Sequence, residues 1–262
     1  MSKIGLIGGS GLYEVEGLIT KGRKTVKTPF GRPSAQYLTG ELNGREIIFL
    51  PRHGKNHDIP PHMINYRANI WGFKELGVER IISVSAVGGI KKGLKPGDIV
   101  VLDQVLDMTR SRRSTYYDGK DGVVHIDFTY PYCPELRKTI LKAGKHAKVA
   151  VKDSGTYVAV EGPRLETSSE IKSFGILGGD VVGMTGMPEA SLARELEICY
   201  SGISVVANYA AGISSKKLTV AEVMDAMRST TERLRRLLKE TFTLVPEQRR
   251  CSCGEALKDA RI

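Results

Sequence analysis

The clearest periodicity lies toward the C-terminal end, where Val220, Val223, Met224, Met227, Leu234, Leu237 and Leu238 recur about every 3.6 residues or its multiples while Arg and Glu take the other face. The pattern predicts an amphipathic helix over 219–242. Thr219 followed by Glu222 matches a T-x-x-E capping box, which would satisfy two backbone N–H groups at its start. Similar patterns predict helices over 64–76, 134–144, 167–174 and 188–199. Short apolar or alternating runs predict strands over 3–7, 36–42, 46–50, 80–84, 98–102, 156–160 and 203–207. Strands alternating with helices specify the α/β class, with a largely parallel or mixed sheet. With no repeat, low-complexity tract or Pro/Ser-rich linker to divide it, 1–245 reads as one domain and 246–262 as a charged, mobile tail carrying Cys251-Ser252-Cys253.

Composition narrows the class. A chain of 262 residues with 41% hydrophobic content fills a sizeable core, and its apolar runs are too short to span a membrane. The segment 1–11 lacks the long apolar region of a signal peptide, so the cytoplasm is the expected compartment and no membrane partner is expected. Lys and Arg exceed Asp and Glu by 39 to 29, a formal +10 that suits an anionic partner of any size. The basic residues are scattered, with local clusters only at 21–27, 110–113 and 233–239, and read as solvated faces. Aromatics amount to 6% and are dispersed, which argues against a nucleic-acid-binding module.

The four cysteines, Cys133, Cys199, Cys251 and Cys253, allow three pairings. Cys251-Ser252-Cys253 has neither the C-x-x-C spacing of a zinc site nor visible partners for two further ligands, so no metal is expected. Cytosolic disulfides are rare outside hyperthermophiles, so a Cys251–Cys253 bond would point to a hot habitat. Free thiols beside a frayed tail are the other reading.

Six segments at predicted strand ends carry candidate chemistry. Ile7-Gly8-Gly9-Ser10-Gly11 is a glycine turn after a strand, lacking both the third glycine of a dinucleotide fingerprint and the G-K-[ST] of a Walker loop. Its backbone N–H groups and the Ser10 hydroxyl suit an anion, although a tight turn needing positive φ explains it as well. Pro51-Arg52-His53-Gly54 places a guanidinium fork, suited to phosphate oxygens, beside an imidazole. Metal ligation by His53, His57 and His62 is disfavoured, because Pro60 and Pro61 interrupt any helix that would align them. Ser83-Val84-Ser85-Ala86-Val87-Gly88-Gly89 closes a strand with hydroxyls and small residues, as at ligand crevices. The others are Val160-Glu161-Gly162-Pro163-Arg164-Leu165-Glu166-Thr167, Gly183-Met184-Thr185-Gly186-Met187-Pro188-Glu189 and Val206-Ala207-Asn208-Tyr209-Ala210-Ala211-Gly212. No Ser-His-Asp or Cys-His order stands out, which disfavours covalent nucleophilic catalysis.

Through Gly8-Gly9-Ser10-Gly11, Arg52-His53-Gly54, the stretch from Asn65 to Trp71, Ser85-Ala86-Val87-Gly88, Glu161-Gly162-Pro163-Arg164 and the run from Met184 to Glu189, the chain resembles the purine nucleoside phosphorylases, in the branch of methylthioadenosine and methylthioinosine phosphorylases. The resemblance runs from Gly5 to about Phe242. It implies a single domain with a central mixed β-sheet flanked by helices, and phosphorolysis of a purine N-glycosidic bond with inorganic phosphate as co-substrate and no cofactor. It places phosphate on Ser10, Arg52, His53, Ser85, the Ala86 backbone N–H and Thr185, and Met184 beneath the ribose. Catalytic roles then fall to Asn208, His53 and Ser85.

In the base pocket the chain departs from the methylthioadenosine enzymes, which carry aspartates where Asn208 and Ala210 stand. The Asn208 amide can donate to O6 and N7 but cannot protonate a base, and Ala210 removes the second carboxylate. Leu165-Glu166-Thr167 resembles the segment of 6-oxopurine phosphorylases whose Glu accepts from the base N1–H, which adenine lacks. The expectation is therefore inosine, guanosine or 5′-methylthioinosine, with an adenine-accepting methylthioadenosine phosphorylase as the alternative. Glu166 also reads as an exposed residue opening a helix. The resemblance further implies a 5′ pocket from Val220, Val223 and Met224, with His125 supplied by a neighbouring subunit of a trimer or a dimer of trimers. A likeness to archaeal hyperthermophile members implies Cys133–Cys199 and Cys251–Cys253 disulfides.

Overall fold

The computed structural model describes residues 2–9, 12, 17–119, 122–214 and 220–262. Strand β1 (Lys3–Gly8) sets the layering. Its side chains alternate, Ile4 and Leu6 entering one core and Ile7 the other. The first core is shared with α2 (Pro134–His146) and α5 (Val220–Leu244), through Leu136, Ile140, Leu234 and Leu237. The second takes Ile70 and Phe73 of α1 (Tyr66–Glu75) and Ala190 and Leu192 of α4 (Gly186–Glu195). The sheet is thus covered on both faces, as the α/β reading requires.

Every predicted strand forms: β1, β3 (Tyr37–Leu42), β4 (Arg45–Pro51), β5 (Val78–Gly89), β6 (Ile99–Val101), β9 (Thr156–Ala159) and β11 (Cys199–Tyr209). Four more join them: β2 (Ile19–Lys24), β7 (Gln104–Asp107), β8 (Lys152–Asp153) and β10 (Val181–Gly183). The sheet runs β2-β3-β4-β1-β5-β10-β9-β7, with β11 also pairing β5 and leading through β6 to β8. It is mixed. β1 is parallel to β4 and β5, and β5 to β11, while β2–β3, β3–β4, β5–β10 and β6–β11 are antiparallel.

One consequence of this topology positions the site. Pairing of β5 with β1 stops at Ser83, and its pairing with β10 begins at Gly88. Residues 84–87 therefore have no strand neighbour on that edge, and their backbone opens beyond the end of β1, a crevice of the kind in which α/β sheets bind ligands.

One helix end and one capping box differ from expectation. The helix predicted over 188–199 is α4 and stops at Glu195: Glu197 takes a φ of 58°, a left-handed conformation that ends the helix, and Cys199 already opens β11. A capping box occurs at Thr167 and Glu170, where α3 (Ser168–Ile176) begins: the Thr167 side chain accepts from the Glu170 N–H and the Glu170 carboxylate from the Thr167 N–H. The box read at Thr219 and Glu222 lies outside the described residues.

The segment after Pro246 is packed against the body rather than loose. Cys253 is buried in the first core, Arg249 donates to the Glu197 carbonyl (2.7 Å), and the chain end pairs with the loop at 123–125 through Ile262 N–H to Val123 O and His125 N–H to Ala260 O. All four cysteines are free thiols, and they converge: instead of two separate bonded pairs they make a single cluster, with Cys199 Sγ 3.3 Å from Cys251 Sγ. Among the described residues no helix is long and apolar enough to cross a membrane.

Candidate active site

The C-terminal ends of β1, β4, β10 and β11 and the open edge of β5 meet at a cleft of about 650 Å³, within the range of small-molecule sites. Of the sequence-predicted residues, Arg52, His53, Ser85, Ala86, Leu165, Glu166, Met184, Thr185, Asn208 and Val223 line it, together with Gly9 of the first motif. Residues from five of the six motifs and the final helix thus share one cavity, and the sixth, the 7–11 turn, reaches it through Gly9.

Donors for an anion gather where the open edge of β5 faces the β10–α4 turn. Ser85 Oγ and Thr185 Oγ1 lie 3.4 Å apart, both buried. Thr185 is held from behind, because the backbone N–H groups of Thr185 and Gly186 both donate to Tyr157 Oη (3.1 and 3.2 Å). Ala86, on the unpaired edge, offers backbone rather than side chain.

Arg52 plays a different part from a free phosphate fork. Its guanidinium is completely buried and donates from Nε and Nη2 to the two Glu189 carboxylate oxygens (2.6 and 3.1 Å), from Nη2 to Ser83 Oγ (2.5 Å), and from Nη1 to the Val84 carbonyl (3.0 Å). A guanidinium has five N–H donors, so one, on Nη1, is left for the cleft. Glu189 also accepts from Ser83 Oγ (3.1 Å) and Tyr200 Oη (2.8 Å). Sequence reasoning did not assign this carboxylate, although it holds the arginine; an acidic residue in the first turn of a helix reads like any other surface charge.

The same arginine explains Gly9. A Cβ there would stand 2.6 Å from Arg52 Nη1, and one at Gly8 would stand 2.2 Å from the Leu12 carbonyl oxygen. Neither glycine has a positive φ, so close approach rather than turn geometry requires them. Ser10 lies outside the described residues.

His53 Nδ1 lies 2.9 Å from the Ile59 carbonyl and donates to it, which leaves Nε2 as the acceptor of a neutral ring. Burial, with the Arg52 charge in support, pulls this imidazole down to about 4. The sign of the linkage follows. Between the unfolded value near 6.5 and the folded value, the unfolded chain binds a proton that the folded chain does not. The contribution is therefore complete above pH 6.5 and is lost as pH falls toward 4, on the order of 3 kcal/mol. Urea titrations of the wild type and of His53→Gln should show stability curves that converge as pH falls from 7 to 4.5. Parallel curves would contradict the neutral ring.

The same cleft holds Asn208 and Glu166, to which the resemblance assigns base recognition. Asn208 sits just past a register irregularity between β11 and β5, and its Nδ2 donates to the Tyr209 carbonyl (2.7 Å). One amide hydrogen is thereby occupied, so Asn208 offers one donor at a time, where the sequence reading counted two. Glu166 is partly buried, and desolvation raises its carboxyl above the ordinary value. Met184 packs against Gly162, where a Cβ would stand 2.5 Å from Sδ and where φ is 67°. The structure supplies a reason for that glycine.

Two predicted positions stand elsewhere. Ala210 is buried in the core with Ile90, Val158, Ile171 and Val182, behind the wall; Ala211 lines the cleft instead. His125 is exposed in the loop braced by the chain end and does not line this cleft. The side chain of Val220 lies outside the described residues. Within the fourth motif, Glu161 faces away from the cleft: despite desolvation, donation from the Arg110 and Ser111 N–H groups, the Ser111 hydroxyl and Arg112 holds it at about 2. Arg164 pairs with Glu170 at the surface (2.7 Å). Both secure loops around the site.

Residues 3–243, which include every strand and helix that builds the cleft, match the family model of the phosphorylase superfamily. The chain belongs to this superfamily. A 6-oxopurine nucleoside phosphorylase of Pyrococcus furiosus is 51% identical over 99% of both chains, and a probable S-methyl-5′-thioinosine phosphorylase of Thermodesulfovibrio yellowstonii is 51% identical over 98% of this chain and 97% of its own. Among solved structures, a methylthioadenosine phosphorylase of Schistosoma mansoni in complex with adenine superposes with a TM-score of 0.95 at 32% identity, covering 100% of this chain and 99% of the other. The phosphorylase fold, with one mixed sheet and helices on both faces, is thus the architecture read from the sequence.

Proposed function

We propose that the protein is a purine nucleoside phosphorylase acting on 6-oxopurine nucleosides, releasing free base and pentose 1-phosphate. The observation that carries this reading is the pairing of Glu166 and Asn208 on a single cleft whose other residues supply anion donors. A carboxylate facing N1–H and an amide donor facing N7 or O6 match the edge of hypoxanthine or guanine. Adenine offers no N1–H for Glu166 to accept, and its 6-amino group replaces the O6 acceptor, which leaves the Asn208 donor N7 alone. The named 6-oxopurine and methylthioinosine relatives, each at 51% identity, support the same choice.

In this mechanism phosphate binds among Ser10, Ser85, Thr185, the Ala86 N–H and the remaining Arg52 N–H. The neutral His53 ring accepts the hydrogen of monohydrogen phosphate at Nε2, orienting the dianion. An oxygen of phosphate forms its bond to C1′ as the C1′–N9 bond breaks, the electron pair of that bond passes into the purine, and the departing purine anion takes up, through solvent, the proton that monohydrogen phosphate gives up on becoming the ester. Phosphate stabilises the oxocarbenium-like centre, and Asn208 stabilises the charge growing on the base. Both effects are fixed positioning, so no cofactor takes part. Met184 and Val223 pack the pentose and its 5′ group. Apolar contact of this kind separates a thioether from a hydroxyl only modestly, about 10² at most, so inosine, guanosine and methylthioinosine all fall within the assignment.

The exposed His125, outside its own cleft, is consistent with a trimer or a dimer of trimers in which a neighbour completes the 5′ pocket. Sedimentation should give three or six times 28.7 kDa, and a monomer with full activity would contradict it. Inosine cleavage should require phosphate and yield ribose 1-phosphate. Equal base release in phosphate-free buffer would assign hydrolysis instead.

A further inference from the structure

Phosphorolysis makes no use of the most concentrated set of nucleophiles among the described residues. Cys133 stands just before α2, Cys199 opens β11, and Cys251 and Cys253 flank the start of the short 3₁₀ turn Ser252–Glu255. Their four Sγ atoms all lie within 4.8 Å of one another, and three of the four residues are buried. We propose that these four cysteines bind one thiophilic divalent cation of the Zn²⁺ type, which fastens the C-terminal segment to the body of the domain.

Geometry is the first argument. Tetrahedral zinc–thiolate bonds of about 2.3 Å place the sulfurs about 3.8 Å apart. Four sulfurs that are mutually within 4.8 Å, with Cys199 and Cys251 at 3.3 Å, already occupy such a shell and need only small adjustments. The donor set, four sulfurs with no water position, is that of a closed structural site, and soft thiolates select thiophilic metals over Mg²⁺ or Ca²⁺. The sequence reading lacked two ligands because Cys133 and Cys199 are brought in by topology, with no local spacing to announce them.

Charge is the second. Four thiols binding M²⁺ release four protons and leave a centre of net charge −2. Two guanidinium groups stand ready to balance it. Arg194 Nη1 donates to Cys253 Sγ (3.8 Å). Arg249 donates to the carbonyl of Glu197 and lies over Gly254, the residue after Cys253, where a Cβ would be 3.0 Å from Nη2; its far side faces Glu79 at 3.8 Å. A pair of neutral disulfides would give these cations nothing to balance. Outer donors of this kind are a regular feature of metal–thiolate sites.

The third is position. The segment so anchored ends by pairing with 123–125, the loop that bears His125. A metal clamp at Cys251 and Cys253 therefore steadies a loop that this phosphorylase would present to its neighbour.

The test uses the full-length wild-type protein, purified under reducing conditions, with Zn²⁺ as the probe. Elemental analysis after gel filtration should find about one zinc per chain, and replacement by Co²⁺ should produce the intense bands of tetrahedral cobalt thiolate. A Cys251→Ser/Cys253→Ser variant should retain less than about a tenth of that metal. The cobalt spectrum of the wild type does not depend on that variant folding. Reduced wild type that holds less than about a tenth of an equivalent after Zn²⁺ addition, and gives no thiolate–cobalt bands, would overturn the proposal. So would a chain four hydrogens lighter than its thiol form that binds no metal once reduced, since that is the signature of two disulfides.

Discussion

Asn208→Ala should lower the turnover of inosine phosphorolysis by about 10²–10³, equivalent to about 3 kcal/mol of lost transition-state stabilisation. The argument rests on when the hydrogen bond matters. The purine is neutral in the bound substrate and gains negative charge as C1′–N9 breaks, so a donor at N7 or O6 strengthens along the reaction. The Asn208 amide has one hydrogen committed to the Tyr209 carbonyl, which fixes its orientation before substrate arrives. The loss should fall on kcat more than on KM. Turnover within about threefold of wild type would remove Asn208 from the mechanism.

Glu189→Ala should destabilise the folded protein by about 3–5 kcal/mol, because it strands the Arg52 guanidinium without its counter-charge in a fully buried setting. The carboxylate accepts from Arg52, Ser83 and Tyr200, so its removal also leaves two hydroxyl partners unmatched. In a chain of this size the thermal midpoint should fall by on the order of 10 °C. Glu189→Gln keeps an acceptor oxygen and the side-chain volume and should recover part of the loss. Activity should fall in both variants at temperatures where they remain folded, because the Nη1 donor facing the cleft is positioned by this pair. A change in stability below about 1 kcal/mol would mean that Arg52 is satisfied by other groups.

What could be read from the sequence follows from where the information is local. Strand ends with hydroxyls, glycines and an arginine are visible as short motifs, and five of the six, with Gly9 of the remaining one, meet at the cleft. The short β7, β8 and β10 carry too little pattern of their own to be seen, whereas the equally short β6 and β9 lie inside the apolar runs at 98–102 and 156–160, and the exposed β2 has no apolar side to announce it. The end of α4 was misplaced because Leu196, Ile198 and Cys199 continue the apolar pattern while the backbone turns at Glu197. Glu189 and the four-cysteine cluster escaped notice for one shared reason. Glu189 is defined by Arg52 and Ser83, and the cluster by bringing Cys133, Cys199 and the Cys251/Cys253 pair together, partners more than fifty residues apart in the chain that only the folded sheet unites. Ala210 shows the converse error: its neighbours in sequence line the cleft, but its own side chain points into the core beside Val182.

The most direct test of base recognition is release of free base from inosine, guanosine, 5′-methylthioinosine, adenosine and 5′-methylthioadenosine, each with and without inorganic phosphate. With Glu166 accepting from N1–H and Asn208 donating to N7 or O6, cleavage should depend on phosphate and should favour the three 6-oxo substrates by about 10⁴ in kcat/KM. Equal or faster phosphorolysis of adenosine and methylthioadenosine would contradict this account of the pocket and make the protein a methylthioadenosine phosphorylase.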